Sequence, residues 1–190
     1  MDNWVSVTID LKPEFEKCLE THPIKAKLYP QPGNEKAAME VFIKEHRDRG
    51  TICLSKSPMA SPFSFIKMKD GTLCPVRDYR ILNSGTIKNT YPLPLIGDII
   101  DRLTGAKVFP KMDVWWGYNN IRMKEGNEWK AVFKTSLGLF EPFVMLFGLI
   151  NLPAMFQTMM NEVFRDMIDK GVISIYMDDI LVHTKDITQH

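Results

Sequence analysis

The chain has 190 residues, of which 45% are hydrophobic and 25% charged, with a formal net charge of +1. This balance excludes a disordered tail, a collagen-like fibre and a disulfide-dense mini-protein. No apolar run reaches the ~18 residues that a membrane-spanning helix needs, and Met1-Asp2-Asn3-Trp4 lacks the basic-then-apolar layout of a signal peptide. Cys18, Cys53 and Cys74 fall at no metal-ligand spacing and read as reduced thiols, which predicts an intracellular protein of the cytoplasm or nucleus with no membrane partner.

Charge is uneven along the chain. Residues 1–60 hold nine basic and nine acidic side chains, residues 61–130 eleven and seven, and residues 131–190 four and seven. A basic middle and an acidic end suit a chain that grips a polyanion and then coordinates cations; the plainer alternative is an unevenly charged solvated surface.

Residues 1–34 carry Pro13, Pro23, Pro30 and Pro32-Gly33 and predict an extended arm. From Glu35 to Arg49, Met39, Phe42 and Ile43 share a helical face, and Gly50 stops the helix. Strands over 63–69 and 72–79 flank Asp70-Gly71, a hairpin signal. Pro94 opens a helix that turns Leu95, Ile96, Ile99, Ile100 and Leu103 inward and ends at Gly105. Ala106–Asp113, Asn119–Lys124 and Trp129–Thr135 predict strands. Phe156, Met159, Met160, Val163, Phe164, Met167 and Ile168 follow helical spacing within Pro153–Lys170, with Gly171 closing that helix. Val172–Tyr176 and Asp179–His183 flank Met177-Asp178 as a tight hairpin. Helices mixed with antiparallel strands predict an α+β fold, with helices on one face of a sheet.

The chemistry-bearing residues are carboxylates. Asp178 and Asp179 are adjacent between two apolar strands, where like charges raise the free energy unless a cation neutralises them. Oxygen ligands of this kind suit Mg²⁺; the alternative at this point is a solvent-exposed acidic turn. Asp113 ends the apolar run Ala106–Met112. If that strand pairs beside the hairpin, three carboxylates meet at one sheet edge, and such a cluster can hold two Mg²⁺ ions about 4 Å apart for in-line phosphoryl displacement.

From about Lys25 onward the sequence resembles the reverse transcriptase of gypsy-type long-terminal-repeat retrotransposons, most closely the fungal kind. The segments that carry the resemblance occur in order: Ser55 through Pro62, Lys69 through Leu73, Asp78 through Asn83, Thr90 through Pro94, Asp113 through Tyr118, Phe147-Gly148-Leu149, Pro153-Ala154, Phe156-Gln157 and Tyr176-Met177-Asp178-Asp179.

The resemblance implies an RNA-directed DNA polymerase with right-hand architecture. Fingers would fall at about 35–105 and an antiparallel palm sheet backed by helices at about 106–190, the two partly interleaved. It implies Asp113, Asp178 and Asp179 as the catalytic, metal-binding triad for two Mg²⁺ ions, or Mn²⁺ in their place. Tyr118 and Phe147 would line the nucleotide pocket, with Lys67 and Lys69 meeting the triphosphate. Asp78, Arg80, Tyr176 and Met177 would lie near template and primer. The implied partners are deoxynucleoside triphosphates, an RNA or DNA template-primer, and the thumb, connection and ribonuclease H parts of a Pol polyprotein. The few residues after His183 cannot hold those parts, so the expected fold lacks a thumb.

Two departures touch phosphate binding: Cys74 stands where the family usually has Arg, and Met68 where it has a central Lys. A thiol cannot clamp a phosphate bidentately. These losses keep a second reading open, that of a truncated and inactive retroelement remnant acting at most as a nucleic-acid-binding module.

Overall fold

A computed structural model describes residues 6–115 and 117–183. In chain order its elements are β1 (Ser6–Val7), α1 (Pro13–Thr21), α2 (Gly33–Asp48), β2 (Ile52–Leu54), β3 (Ser61–Lys67), β4 (Leu73–Arg77), α3 (Arg80–Gly85), α4 (Ile96–Arg102), β5 (Lys111–Asp113), β6 (Arg122–Met123), β7 (Phe133–Thr135), β8 (Gly138–Pro142), α5 (Leu152–Val163), α6 (Arg165–Asp169), β9 (Ile173–Tyr176) and β10 (Asp179–Val182). The chain divides into two compact units: one from the segment up to Lys88 together with Tyr118–Ile150, the other from Asn89–Gly117 and the segment from Asn151 onward.

The first unit is built on a five-stranded sheet of order β2-β8-β7-β3-β4, antiparallel except for the parallel β3–β7 pair. The β3–β4 hairpin turns at Gly71, whose φ of 86° suits glycine, and Asp70 Oδ1 accepts from the Thr72 backbone N–H (2.9 Å) and hydroxyl (2.6 Å). Alternation along β3 turns Phe63 inward, where its ring lies 5.5 Å from that of Phe133, which is 6.0 Å from that of Phe140. Helix α2 covers this layer with Met39, Ile43 and His46. Opposite Phe63 in the register is Arg77, itself buried, with its guanidinium 4.9 Å from the ring centre of Phe42 and 5.1 Å from that of Phe133.

The second unit holds a three-stranded antiparallel sheet of order β5-β10-β9. Helix α5 packs on β9. Leu152, Ala154, Phe156 and Met160 of the helix are buried, as are Ile173, Ile175 and Ile180 of the hairpin. Burying an aliphatic or aromatic side chain of this size stabilises by roughly 1.5–3 kcal/mol, so this apolar layer supports the strand edge that carries the carboxylates.

Several sequence expectations change. The 1–34 arm contains helix α1, which starts at Pro13, the residue type best tolerated in a first turn. The helix expected over 94–105 shortens to α4, in which Ile99 is buried while Leu95, Ile96 and Ile100 are 68%, 63% and 59% exposed. Periodicity identifies residues that share a face; it does not report how much of that face is covered. The helix expected over 153–170 breaks at Phe164, at φ −107° and ψ 17°, into α5 and α6. The strand expected over 106–113 survives only as β5, and those over 119–124 and 129–135 begin as short 3₁₀ turns before β6 and β7. The thiols Cys18, Cys53 and Cys74 are free, and burial together with the Glu141 carboxylate pushes the Cys53 thiol up to about 11.

Candidate active site

The β9–β10 hairpin turns through Met177-Asp178, with Tyr176 directly opposite Asp179. Met177 adopts φ 52°, the only positive φ at a non-glycine residue among the described residues. Two-residue hairpins need such a backbone at a central position so that the turn matches strand twist. The Met177 N–H donates to Gln157 Oε1 at 2.7 Å.

On its other side β10 pairs with β5, and the register sets Asp179 against Asp113. Antiparallel partners of this kind lie roughly 4.5–5.5 Å apart at Cα. The Val114 N–H donates to the Asp178 carbonyl at 3.0 Å, and the Val182 N–H to the Pro110 carbonyl at 3.0 Å, which fixes the pairing at both ends. The sheet therefore brings Asp113, Asp178 and Asp179 together at the end of β5 and the start of β10. Asp113 is exposed; Asp178 and Asp179 are half-buried. Gly117 shapes the stretch after Asp113, because a Cβ there would come within 2.7 Å of Phe156 Cζ. Trp116, within that stretch, lies outside the described residues.

Lys111 precedes Asp113 by two residues and shares its strand face. Its Nζ lies 2.9 Å from Asp179 Oδ1, with the two side chains 56% and 40% exposed. The hydrogen bond to Asp179, followed by the charge of Asp179, raises the Lys111 ammonium; desolvation opposes the rise, and the Asp113 and Asp178 charges add to it. All three carboxylates thus act on one ammonium. Among the described residues no three His, Cys, Asp or Glu side chains are gathered tightly enough to hold an ion as they stand. A hard divalent cation fits the donor chemistry and the backbone placement. To take one, Asp179 must exchange the Lys111 ammonium for it.

The other expected site residues lie in the first unit, except Tyr176 and Met177, which are half-buried in the hairpin. The Tyr118 and Phe147 rings meet edge-to-face at 4.9 Å, with Phe147 61% exposed. Lys67 ends β3 and Lys69 lies in the turn after it, both exposed. Asp78 and Arg80 engage each other: Nε donates to Oδ1 at 2.8 Å and Nη2 to Oδ2 at 2.6 Å, and this pairing lowers the Asp78 carboxyl. The guanidinium of Arg80 is thereby matched by a carboxylate of its own chain. Between them, buried Tyr79 donates its hydroxyl to the Ala131 carbonyl at 2.8 Å.

Sequence reasoning missed Lys111 and Gln157 as neighbours of the carboxylates. Strand period two could have flagged Lys111, two residues from Asp113. Gln157 stands in the Phe156-Gln157 pair that carries the resemblance, but its contacts with the hairpin come from packing α5 against β9.

Residues 66–190 match the family model described as reverse transcriptase (RNA-dependent DNA polymerase). The chain belongs to the reverse transcriptase family. It is 36% identical over 177 residues to the Transposon Tf2-3 and Tf2-7 polyproteins of Schizosaccharomyces pombe (strain 972 / ATCC 24843), covering 93% of this chain. It spans 13% of the length of these curated relatives. The resemblance to a fungal gypsy-type retrotransposon reverse transcriptase is thus borne out. Among solved structures, it resembles a foamy viral protease-reverse transcriptase in complex with RNA/DNA hybrid, with a TM-score of 0.79, 21% identity, 88% of this chain and 22% of that chain. A second foamy viral structure, in complex with double-stranded DNA, gives a TM-score of 0.78 at 22% identity, over 88% of this chain and 29% of the other. The expected α+β fold, with fingers and palm elements of a reverse transcriptase, therefore stands. The family depends on divalent metal in general, and among the described residues no helix is long and apolar enough to cross a membrane.

Proposed function

We propose that this chain catalyses template-directed DNA synthesis, joining a deoxynucleoside triphosphate to a primer 3′-hydroxyl on an RNA or DNA template. The observation that carries the reading is the register of Asp179 against Asp113, with Asp178 in the adjoining turn. Three carboxylates gathered where β5 ends and β10 starts repel one another unless positive charge offsets them, as Lys111 does for Asp179 and as bound cations would do for all three. Asp113, Asp178 and Asp179 are the proposed ligands of two Mg²⁺ ions, which when bound supply charge neutralisation at the phosphates and acidify the attacking hydroxyl.

In the reaction the primer 3′-oxygen bonds to the α-phosphorus, the bond from that phosphorus to the bridging oxygen breaks, pyrophosphate leaves, and the hydroxyl proton passes to water. The chain's own residues orient these groups. The Tyr118 and Phe147 pair offers aromatic surface for the incoming nucleotide, and exposed Lys67 and Lys69 offer charge for its triphosphate. Tyr176 and Met177 face the primer end in this reading. Asp78 and Arg80 are assigned to the template side as a coupled pair, so their contribution is shape and hydrogen bonding more than free charge. The first unit corresponds mainly to fingers and the second to palm. The protein would act within a Pol polyprotein, in the cytoplasm or nucleus, where template and nucleotides are found.

Primer extension on RNA and DNA templates with Mg²⁺ tests this, comparing the wild type with Asp178→Asn. Extension by the wild type alone supports the assignment, and equal extension by both removes it. Salt-sensitive RNA binding without extension by either protein would favour the inactive remnant.

A further inference from the structure

Gln157 is the one polar side chain of α5 that is completely buried. A buried amide is destabilising unless its hydrogen bonds are made. Here they are made in a particular direction. Nε2 donates to Asn161 Oδ1 at 2.9 Å, one helical turn along, and to the Ile175 carbonyl of β9 at 3.3 Å. Those two bonds fix the amide plane and leave Oε1 facing the turn, where it accepts the Met177 N–H at 2.7 Å. The ladder of a two-residue hairpin provides no acceptor for the N–H of its first central residue. Met177 also sits at φ 52°, where a side-chain-bearing residue is strained. A strained turn relaxes unless something holds it, and the residues that move with it are Asp178 and Asp179.

We propose that Gln157 is a positioning residue that holds the Met177-Asp178 turn in its left-handed form and so sets where the Asp178 and Asp179 carboxylates stand against Asp113. The inference deepens the polymerase reading and rests on it for its catalytic consequence. A methionine or leucine in place of Gln157 would fill the same space with no buried polar atoms. What the amide adds over such a residue is the link from β9 to the turn.

Gln157→Met tests this, because it keeps side-chain length and burial while removing both the acceptor and the donors. Backbone amide hydrogen exchange reads the turn without requiring activity. Met177 and Asp178 amides are expected to exchange about tenfold faster, with Ile180 in the centre of β10 unchanged and the thermal midpoint preserved. In primer extension kcat falls about tenfold while the nucleotide KM stays within about twofold, since only alignment of the reacting groups is lost. Unchanged exchange at Met177 overturns the proposal. So does acceleration spread evenly through β9 and β10, which marks plain core packing. Should Gln157→Met fail to fold, Asn161→Ala removes the acceptor that orients the amide; a rise of roughly threefold in Met177 exchange is then expected, and no rise overturns the proposal. A wild type that extends no primer counts against the polymerase reading, and the exchange comparison still decides the role of Gln157.

Discussion

In the unit built on the five-stranded sheet, the Arg77 guanidinium is sealed among the rings of Phe42, Phe63 and Phe133, and its Nε and Nη2 have no hydrogen-bond partner among the described residues. In the other unit, Asp113, Asp178 and Asp179 stand where β5 ends and β10 starts, partly open to solvent, with Lys111 already on Asp179. The first is a charge that cannot change its partners. The second is a set of charges whose partner is exposed and exchangeable. A buried ion costs several kcal/mol, of which each ring returns about 0.5–2 kcal/mol; carboxylates in water cost little until they are crowded or stripped of their cation. Charge sealed by packing and charge left open to an incoming ion are therefore told apart by what can reach them.

The largest effect expected from this contrast is at the open site. Asp113→Asn removes one carboxylate without changing shape, and primer extension is expected to fall ~100- to 1000-fold, the usual consequence of losing one charge-stabilising group. Its thermal midpoint should hold or rise, because like-charge repulsion is relieved. A variant that keeps activity would break the link between the open charges and the chemistry.

At the sealed site the same kind of change should act on stability alone. Arg77→Met keeps the unbranched stem and removes the buried charge, so urea unfolding is expected to show a gain of about 1–2 kcal/mol, the desolvation cost less what the three rings return. A loss instead would mean that the three rings more than offset the desolvation.

How much of this was legible beforehand depended on the range of the interaction. The Tyr176–Asp179 hairpin was readable because two apolar runs flank two residues, a local pattern. Pairing of β5 with β10 could be stated only as a condition, since no local signal spans Asp113 to Asp179. Strands β2 and β8 were missed: Ile52–Leu54 is too short for alternation to show, and the Gly138–Pro142 run is held by its neighbours. The break at Phe164 has neither Pro nor Gly to announce it. Arg77 carries no signal in the sequence, and only the fold reveals it beneath Phe42 of α2. The carboxylates of the candidate site were all legible, whereas Gln157 and Lys111 became visible only through packing and pairing.

Close to Arg77 lies a titratable group that sharpens the comparison. Burial, followed by the charges of Arg77 and Arg49, pulls the His46 ring down to about 4, while the unfolded chain titrates near 6.5. Between those values the unfolded chain binds a proton that the folded one refuses, so stability falls as pH drops from 6.5 towards 4. Above 6.5 the ring is neutral in both states and contributes no slope. The loss over that window is expected to be about 1–2 kcal/mol once solvent screening is allowed for. Urea midpoints measured across this pH range check it. In Arg77→Met the slope should be shallower, because the second cause of the shift is gone.

The smallest effect belongs to Lys111, and it tests whether the charges at the open site are exchangeable at all. Its ammonium occupies Asp179 from an exposed position, where an ion pair is weak and a competing cation can displace it. Lys111→Met leaves the triad without that internal counter-charge. Half-saturation by Mn²⁺, followed by its electron paramagnetic resonance, should then fall by roughly two- to fivefold in concentration at low salt. The difference should shrink at high salt, since screening weakens both the pair and its replacement. A matched neutralisation at Lys134, on the five-stranded sheet, controls for net charge. If both variants shift Mn²⁺ binding equally, Lys111 is only one more positive charge. If Lys111→Met alone tightens it, the ammonium and the metal compete for one carboxylate, as an open site requires and a sealed one such as Arg77 forbids.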